Sequence, residues 1–137
     1  MRKLDLGALQ SFACTHITTF HDHKLKSLHG LDLKSVLRRK NPYLYRAKNL
    51  NRAADLVSSI LDAYLSSSEE KSFGDFLEEL AVFIIGETCD GRKSSANGID
   101  LEFENKGTYY LVSVKSGPNW GNSAQQREQE NNFKKAS

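Results

Sequence analysis

An acidic and a basic residue stand at matching ends of two neighbouring strand-like segments, at Asp100 and Lys115. A carboxylate is a preferred ligand of hard divalent cations, and a lysine beside it can position or deprotonate an attacking water and offset charge on a phosphate. Together the two residue types suit metal-assisted attack on a phosphodiester bond. That chemistry requires both side chains to meet on one face of a sheet.

The segments around these residues alternate between apolar and polar side chains, as strands with one buried face do. They cover residues 98–103 and 109–115. Burying the apolar residues in one layer gives the cross-strand pairs Phe103 with Tyr110, Leu101 with Val112, and Ile99 with Val114. In that register Asp100 lies opposite Ser113, Lys115 lies just beyond, and the turn is centred on 106–107. The alternative is an ordinary hairpin whose charged face is only solvated.

The residues Gly98-Ile99-Asp100, a hairpin, and Ser113-Val114-Lys115 resemble the site of the PD-(D/E)xK nuclease superfamily, and within it the type II restriction endonucleases. A looser similarity to one restriction-enzyme subfamily extends from about residue 41 to the end and leaves residues 1–30 outside. The motifs that carry it are Asn41-Pro42-Tyr43, Phe73-Gly74-Asp75-Phe76-Leu77-Glu78-Glu79 and Gly117-Pro118-Asn119-Trp120-Gly121-Asn122.

This resemblance implies a Mg²⁺-dependent endonuclease that hydrolyses phosphodiester bonds in double-stranded DNA. Asp100 and the Val114 carbonyl would hold the ion, and Lys115 would assist the attacking water. The resemblance also implies a homodimer and a cognate DNA methyltransferase in the same restriction-modification system. The rival hypothesis is a catalytically inactive DNA-binding or assembly module that keeps the nuclease scaffold.

One position departs from the family pattern, because Ser113 stands where the family has an aspartate or glutamate two residues before the lysine. A hydroxyl lacks the charge of that second metal ligand, so another carboxylate replaces it or the site is weakened. The candidates are Glu78 and Glu79 in the helix before the hairpin and Glu128 in the helix after it. The predicted buried stripe of the earlier helix is Phe73, Leu77, Leu80 and Ile84. Glu78 lies nearer the edge of that stripe than Glu79, which favours Glu78, although any of these glutamates could be an exposed helix charge.

The sequence predicts an α+β fold with a restriction-endonuclease-like core, in which N-terminal helices pack on a small, mainly antiparallel sheet and a C-terminal helix follows. Predicted helices cover residues 4–12, 31–39, 45–65 and 70–85, and a last helix begins at Ser123. Residues 13–30 are predicted irregular, 66–70 a turn with a capping box, and 86–98 a loop or one short strand. The superfamily core has a further strand after the last helix, and we expect that strand to be missing here.

The chain of 137 residues is long enough for one hydrophobic core. We expect a single domain, with residues 1–40 as a basic helical segment and 41–137 as the nuclease-like core. Cys14 and Cys89 are too few for a disulfide framework or a Cys-based zinc site, and no apolar run reaches membrane-spanning length. The first residues lack the apolar stretch of a signal peptide. These features predict a cytoplasmic protein without membrane contact.

Charge is distributed unevenly along the chain. Residues 1–52 contain eleven Lys and Arg against three acidic residues, whereas residues 53–137 contain eight against fourteen. The asymmetry predicts that the first third meets a polyanion such as DNA and that the acidic remainder holds the cation, with a solvated helix face as the alternative. The candidate DNA-binding residues are Lys34, Arg38, Arg39 and Lys40, together with Asn119, Trp120 and Asn122 in the loop after the hairpin.

Two other features could bind a ligand. Trp120 lies in a loop rich in Gly and Asn, from which it could stack on DNA or instead cap the core. Four histidines crowd one segment and could bind zinc, although no Cys pair or Glu accompanies them at ligand spacing. They are His16, His21, His23 and His29.

Overall fold

The computed structural model describes residues 1–117 and 120–137, without the side chains of residues 20, 21, 23, 24 and 27. Over these residues the fold is α+β, as predicted, with five helices and one antiparallel sheet of three strands in the order β1-β2-β3. The helices are α1 (Leu6–His29), α2 (Leu33–Arg38), α3 (Pro42–Ala47), α4 (Ala53–Cys89) and α5 (Ser123–Ala136). The strands are β1 (Arg92–Lys93), β2 (Leu101–Asn105) and β3 (Thr108–Val112). None of the described helices is long and apolar enough to cross a membrane.

The β2–β3 hairpin has the predicted register. Its strand pairs include Leu101 with Val112 and Phe103 with Tyr110, and they end with Asn105 opposite Thr108. The two-residue turn has φ values of 51° at Lys106 and 76° at Gly107. Positive φ at both turn residues matches the twist of the flanking strands and is typical of the tightest hairpins. The turn therefore fixes which residues of the two strands share a face.

The apolar face of the hairpin is buried at one end and open at the other. Ile99 and Leu101 are 4% and 2% exposed. Tyr110, predicted in the same buried layer, is 41% exposed, so that part of the prediction is wrong. Its ring stacks on Phe103 with centroids 4.9 Å apart, which covers one side of the ring and leaves the other outside. The core of the sheet therefore lies beneath the end that carries Asp100.

β1 is the short strand that the sequence left as an alternative to a loop. Arg92 pairs with Glu102 of β2, and the Arg92 guanidinium donates to the Glu102 carboxylate at 2.8 Å. The Ser94 hydroxyl donates to the other carboxylate oxygen at 2.9 Å. These two bonds hold the pKa of Glu102 below its ordinary value and satisfy a glutamate that is only 9% exposed. The Glu102 side chain of β2 thus links the residues of and after β1 to the hairpin.

The C-terminal end of α4 lies against the hairpin at Gly91. A Cβ atom at this position would lie 2.8 Å from the Phe103 Cβ and would overlap the Ile85 side chain. The Gly91 backbone N–H donates to the Ile85 carbonyl at 3.0 Å. Close backbone approach therefore brings the helix and the sheet together where α4 ends.

The long helix α4 runs through residues 66–70 without a break, so the predicted turn and capping box there are wrong. The Ser67 hydroxyl donates to the Ala63 carbonyl at 3.0 Å, which satisfies the serine within the helix. The predicted helix start near Tyr45 is also wrong. The shorter α3 ends first, and Asn49 adopts a left-handed φ of 57° before α4 begins.

The prediction of irregular structure after residue 12 is wrong as well, because α1 continues to His29. The hydroxyls of Thr15 and Thr18 donate to carbonyls four residues earlier, at 2.9 and 3.1 Å. Such bonds let β-branched polar residues remain inside a helix despite their lower propensity. The short helix predicted over 31–39 is confirmed by α2.

The chain forms two compact units, which we call the sheet unit (residues 1–18 and 73–137) and the helical unit (residues 19–72). In the sheet unit, Phe12 of α1 stacks on Phe83 of α4 with centroids 4.4 Å apart. The Arg2 backbone N–H donates to the Thr88 carbonyl at 2.8 Å, and its guanidinium donates to the Gly86 carbonyl at 3.0 Å. Arg2 thus supplies the cation that the last turn of α4 lacks. That the whole chain is a single domain stays a prediction.

The last helix begins at Ser123, as predicted, and contacts the start of the hairpin at Gly98. The Gln129 side-chain amide donates to the Gly98 carbonyl at 2.6 Å. Gly98 has a φ of 74°, and a Cβ atom there would overlap the amide of Asn132. Gly98, two residues before Asp100, is therefore required for two reasons. It adopts a positive φ, and it leaves room for α5 to pack against the hairpin.

We predict that Gly98→Ala lowers the free energy of unfolding more than Gly107→Ala does. Both positions have positive φ, so alanine costs about 1–2 kcal/mol at either one. Only at Gly98 would the new Cβ also meet a side chain, since nothing lies within 4 Å of the corresponding position at Gly107. Urea unfolding of both variants measures the difference. Equal destabilisation of the two variants would contradict the tight approach of α5 to Gly98.

Candidate active site

The carboxylate of Asp100 is the centre of a hydrogen-bonded group where β2 and β3 meet. Its Oδ2 accepts from the Ser113 hydroxyl at 2.9 Å and from the Val114 backbone N–H at 2.6 Å. The Lys115 ammonium lies 3.5 Å from the same oxygen. The Asp100 side chain is 17% exposed, so these donors replace most of its water. The hairpin register alone thus brings the predicted acid, hydroxyl and lysine together.

The Lys115 ammonium contacts the strand end from which it extends. It donates to the Ser113 hydroxyl at 2.7 Å and to the Val114 carbonyl at 3.0 Å. Its nitrogen also lies 5.5 Å from the centre of the Trp120 ring, within the range of a cation–π interaction. The side chain is 31% exposed, so part of it is accessible to solvent.

Glu78 on α4 interacts electrostatically with this group. Its pKa is raised, first because burial desolvates the carboxylate and second because Asp100 is negative. The cations Lys93 and Lys115 act in the opposite direction. Two carboxylates that repel each other at a partly buried place are what a divalent cation would stabilise.

Glu79, the neighbouring candidate, has a different partner. Its carboxylate is 60% exposed and lies 3.7 Å from the His16 ring nitrogen. Phe73, which we assigned to the buried stripe of the helix, is 43% exposed, so that assignment is wrong. Glu78, the glutamate that the sequence favours, is the one whose pKa Asp100 raises, and its choice as the replacing acid stays a prediction.

Glu128 is exposed on α5. Its neighbour Gln129 makes the bond to Gly98, so α5 reaches the hairpin by another side chain. The structure joins Asp100, Ser113, Val114 and Lys115 by hydrogen bonds, and the charge of Asp100 acts on the pKa of Glu78.

The donor set fits a magnesium ion with few protein ligands. The Asp100 Oδ1 makes no hydrogen bond to any residue in the described ranges, and the Val114 carbonyl has a second lone pair besides the one that Lys115 uses. Within those ranges, no three His, Cys, Asp or Glu side chains form a cluster that could hold an ion. Mg²⁺ is usually bound through one or two carboxylates, substrate phosphates and several waters, and Asp100, Glu78 and the Val114 carbonyl offer ligands of that kind.

Lys93 is the residue near the site that sequence reasoning missed. It pairs with Leu101 across β1 and β2, and its charge lowers the pKa of Glu78. A two-residue strand has too little alternation to be recognised by pattern. The available signal was the dipeptide Arg92-Lys93 inside the segment left as loop or strand.

The candidate DNA-binding residues are divided between the two units. All four basic ones, Lys34, Arg38, Arg39 and Lys40, are exposed in the helical unit, and Arg39 donates to the Ser35 hydroxyl at 3.3 Å. In the sheet unit, Trp120 contacts Lys115, and the Asn122 side chain accepts from two backbone N–H groups as the N-cap of α5. Asn119 lies outside the described residues.

The histidine segment shows no zinc site within the part of the chain that is described. His16 stacks on Phe12 with centroids 3.8 Å apart, and its Nδ1 lies 2.9 Å from the Phe12 carbonyl. The side chains of His21 and His23 lie outside the described residues. His29 is in the last turn of α1.

Comparison with protein families agrees with this geometry. A family model described as type II restriction endonuclease EcoO109I matches residues 7–137. The match begins well before residue 31, so the expectation that residues 1–30 lie outside the similarity is wrong. Comparisons with curated proteins and with solved structures gave no match. The chain belongs to the EcoO109I family of type II restriction endonucleases, and its identification as a PD-(D/E)xK nuclease relative is confirmed.

Proposed function

We propose that this protein is a Mg²⁺-dependent type II restriction endonuclease that hydrolyses phosphodiester bonds in double-stranded DNA. The observation that carries the proposal is the contact of Asp100, Ser113 and Lys115 around one carboxylate oxygen, in a chain of this family. The family acts on DNA and typically uses a divalent metal. The proposal goes beyond the family in three respects: the metal is Mg²⁺, the substrate is double-stranded DNA, and named residues carry out the hydrolysis.

Asp100, Glu78 and the Val114 carbonyl would hold the ion. When bound, Mg²⁺ lowers the pKa of a water molecule and stabilises negative charge on the phosphate. Asp100 would use its Oδ1 for this contact, since Oδ2 already accepts hydrogen bonds from Ser113 and Val114. Glu78 would supply the carboxylate that the family places at the position of Ser113.

Lys115 would bind the attacking water and the phosphate. Two of its three N–H groups have short bonds, to Ser113 and to the Val114 carbonyl. The third contact, to Asp100, is long at 3.5 Å, so this donor is available to a substrate. The charge of the ammonium then offsets the negative charge that develops on the phosphate.

Ser113 would orient its two neighbours without contributing charge. Its hydroxyl accepts from Lys115 at 2.7 Å and donates to Asp100 at 2.9 Å. The ammonium can only donate and the carboxylate can only accept, so the donor and the acceptor of both hydrogen bonds are fixed. A glutamate at this position could not donate to Asp100. Compared with the family acid, Ser113 would therefore not bind the metal, but it would connect Lys115 to Asp100 by two hydrogen bonds.

The helical unit would contribute to DNA binding through Lys34, Arg38, Arg39 and Lys40, and the loop after the hairpin through Asn119 and Asn122. Trp120, the third candidate in that loop, lies against Lys115 instead. We further propose a homodimer, because cutting both strands of a duplex needs two sites, and a cognate DNA methyltransferase that protects the host DNA. Cytoplasmic localisation would follow from that role.

A catalytically inactive DNA-binding module is the second candidate, favoured by the serine at the position of the family acid. A calorimetric titration with Mg²⁺ separates the two. We expect the ion to bind the wild type and to bind Asp100→Asn at least about tenfold more weakly, a difference of about 1.4 kcal/mol. Equal binding to both proteins would contradict the proposed metal site and favour the inactive module.

We predict that Glu78→Gln abolishes Mg²⁺-dependent cleavage and leaves DNA affinity nearly unchanged, because it removes the second carboxylate and no DNA contact. Glu79→Gln and Glu128→Gln are matched controls, and both should cleave nearly as the wild type does. Cleavage rates and DNA binding in the presence of Ca²⁺ measure the two effects separately. Loss of cleavage in Glu128→Gln alone would place the replacing acid on α5 instead.

We predict that Ser113→Glu tightens Mg²⁺ binding by about tenfold or more, because ligand charge sets the affinity of such sites. Ser113→Gln is the control, since it has the same size without the charge. Calorimetric titration of both variants, with circular dichroism to verify folding, measures the effect. Identical affinities of the folded variants would show that Ser113 does not adjoin a metal site.

We predict that replacing Arg38, Arg39 and Lys40 by Glu weakens DNA binding for all sequences. The slope of log affinity against log salt should fall by about one unit for each phosphate that these side chains no longer neutralise. The control is the same charge change on α5, at Arg127, Lys134 and Lys135, which are exposed in the sheet unit. If both triple variants behave alike, net charge rather than the basic stretch determines affinity.

A further inference from the structure

We propose that Trp120 is a positioning residue for Lys115. Its ring lies 5.5 Å from the Lys115 ammonium, and the residue itself is half-buried. The negative face of an indole ring attracts a cation, and tryptophan does so more strongly than the other aromatic residues. This inference rests on the proposed role of Lys115 and assigns Trp120 a function in the site instead of a general place in the loop.

The hydrogen bonds of Lys115 to described residues are all made to the hairpin. Its acceptors are the Ser113 hydroxyl, the Val114 carbonyl and Asp100, which belong to the strand ends of the hairpin. A lysine side chain is long and flexible and loses rotamer freedom when its ammonium is held in one place. The ring supplies a contact from outside the hairpin, so the ammonium is held between the sheet and the following loop.

The chain directly after Trp120 is anchored independently of the lysine. Asn122 and Gln125 form a capping box, in which each side chain accepts from the backbone of the other. Gly121 has a φ of 71°, and a Cβ atom there would lie 3.3 Å from Gln125. The N-terminus of α5 therefore fixes the chain two residues beyond the ring. No part of this cap uses the indole, so its contact with Lys115 is not explained by helix capping.

The indole is also a direct probe of the contact, because it is the only tryptophan in the chain. We expect Lys115→Met to change the intensity or maximum of Trp120 emission in the absence of DNA and metal, since it removes the neighbouring charge. Lys134→Met, which removes an exposed lysine of α5, is the control and should leave the emission unchanged. Equal emission from wild type, Lys115→Met and Lys134→Met would overturn the contact and with it the proposal.

Cleavage tests the functional part of the inference. At saturating DNA, Trp120→Leu should lower the single-turnover rate by about 3- to 30-fold, the range that a cation–π interaction spans, with DNA affinity unchanged. Trp120→Phe keeps an aromatic face and should restore most of the rate. Tyr43→Leu, which removes an exposed ring of the helical unit, should have no effect on this rate.

Three results would overturn the proposal. Weaker DNA binding of Trp120→Leu with an unchanged single-turnover rate would show that the ring contacts DNA instead of positioning the lysine. Equal rates for Trp120→Phe and Trp120→Leu would show that the aromatic face is not needed. If wild type does not cut unmodified phage and plasmid DNA with Mg²⁺, the proposed nuclease function fails and the positioning role fails with it. The emission of Lys115→Met distinguishes that case from one in which the ring and the ammonium do not meet.

Discussion

The pairing register of β2 and β3 determines which side chains meet in the site. Side chains alternate between the two faces of a strand, so a shift of one residue would move Asp100 to the apolar face. The two-residue turn at Lys106 and Gly107 prevents such a shift, because both residues adopt positive φ. Burial of Ile99 and Leu101 requires the same register. The core and the site are therefore specified by one choice of pairing.

Electrostatics supports the proposal that Glu78 replaces the family acid where this hairpin has a serine. Asp100 is surrounded by donors and by one ammonium, whereas Glu78 is disfavoured in its charged form by burial and by Asp100. A cation between the two carboxylates would remove that unfavourable interaction. The lysines at 93 and 115 offset part of it in the absence of metal. Under the proposed function the site would keep two acids, and one of them would come from a helix rather than from the strand.

The hairpin was predictable from sequence because alternation, turn length and burial all agree on one register. The contacts of Asp100 with Ser113 and Lys115 followed from that register alone. The helices were less predictable, since the serines of 66–70 and the threonines of α1 indicate a turn or irregular chain in local sequence. In the structure their hydroxyls bond within the helix, as Ser67 and Thr15 do, and remove the reason for a break. Lys93 was missed because a strand of two residues has no period to detect.

Cleavage of unmodified plasmid and phage DNA in the presence of Mg²⁺ is the decisive measurement, with Lys115→Met as the comparison. We predict that wild type cuts DNA at discrete positions, that EDTA abolishes the cutting, and that Lys115→Met binds DNA but does not cut it. Cutting by Lys115→Met at the wild-type rate, or cutting by wild type in the presence of EDTA, would show that this hairpin does not perform metal-assisted hydrolysis.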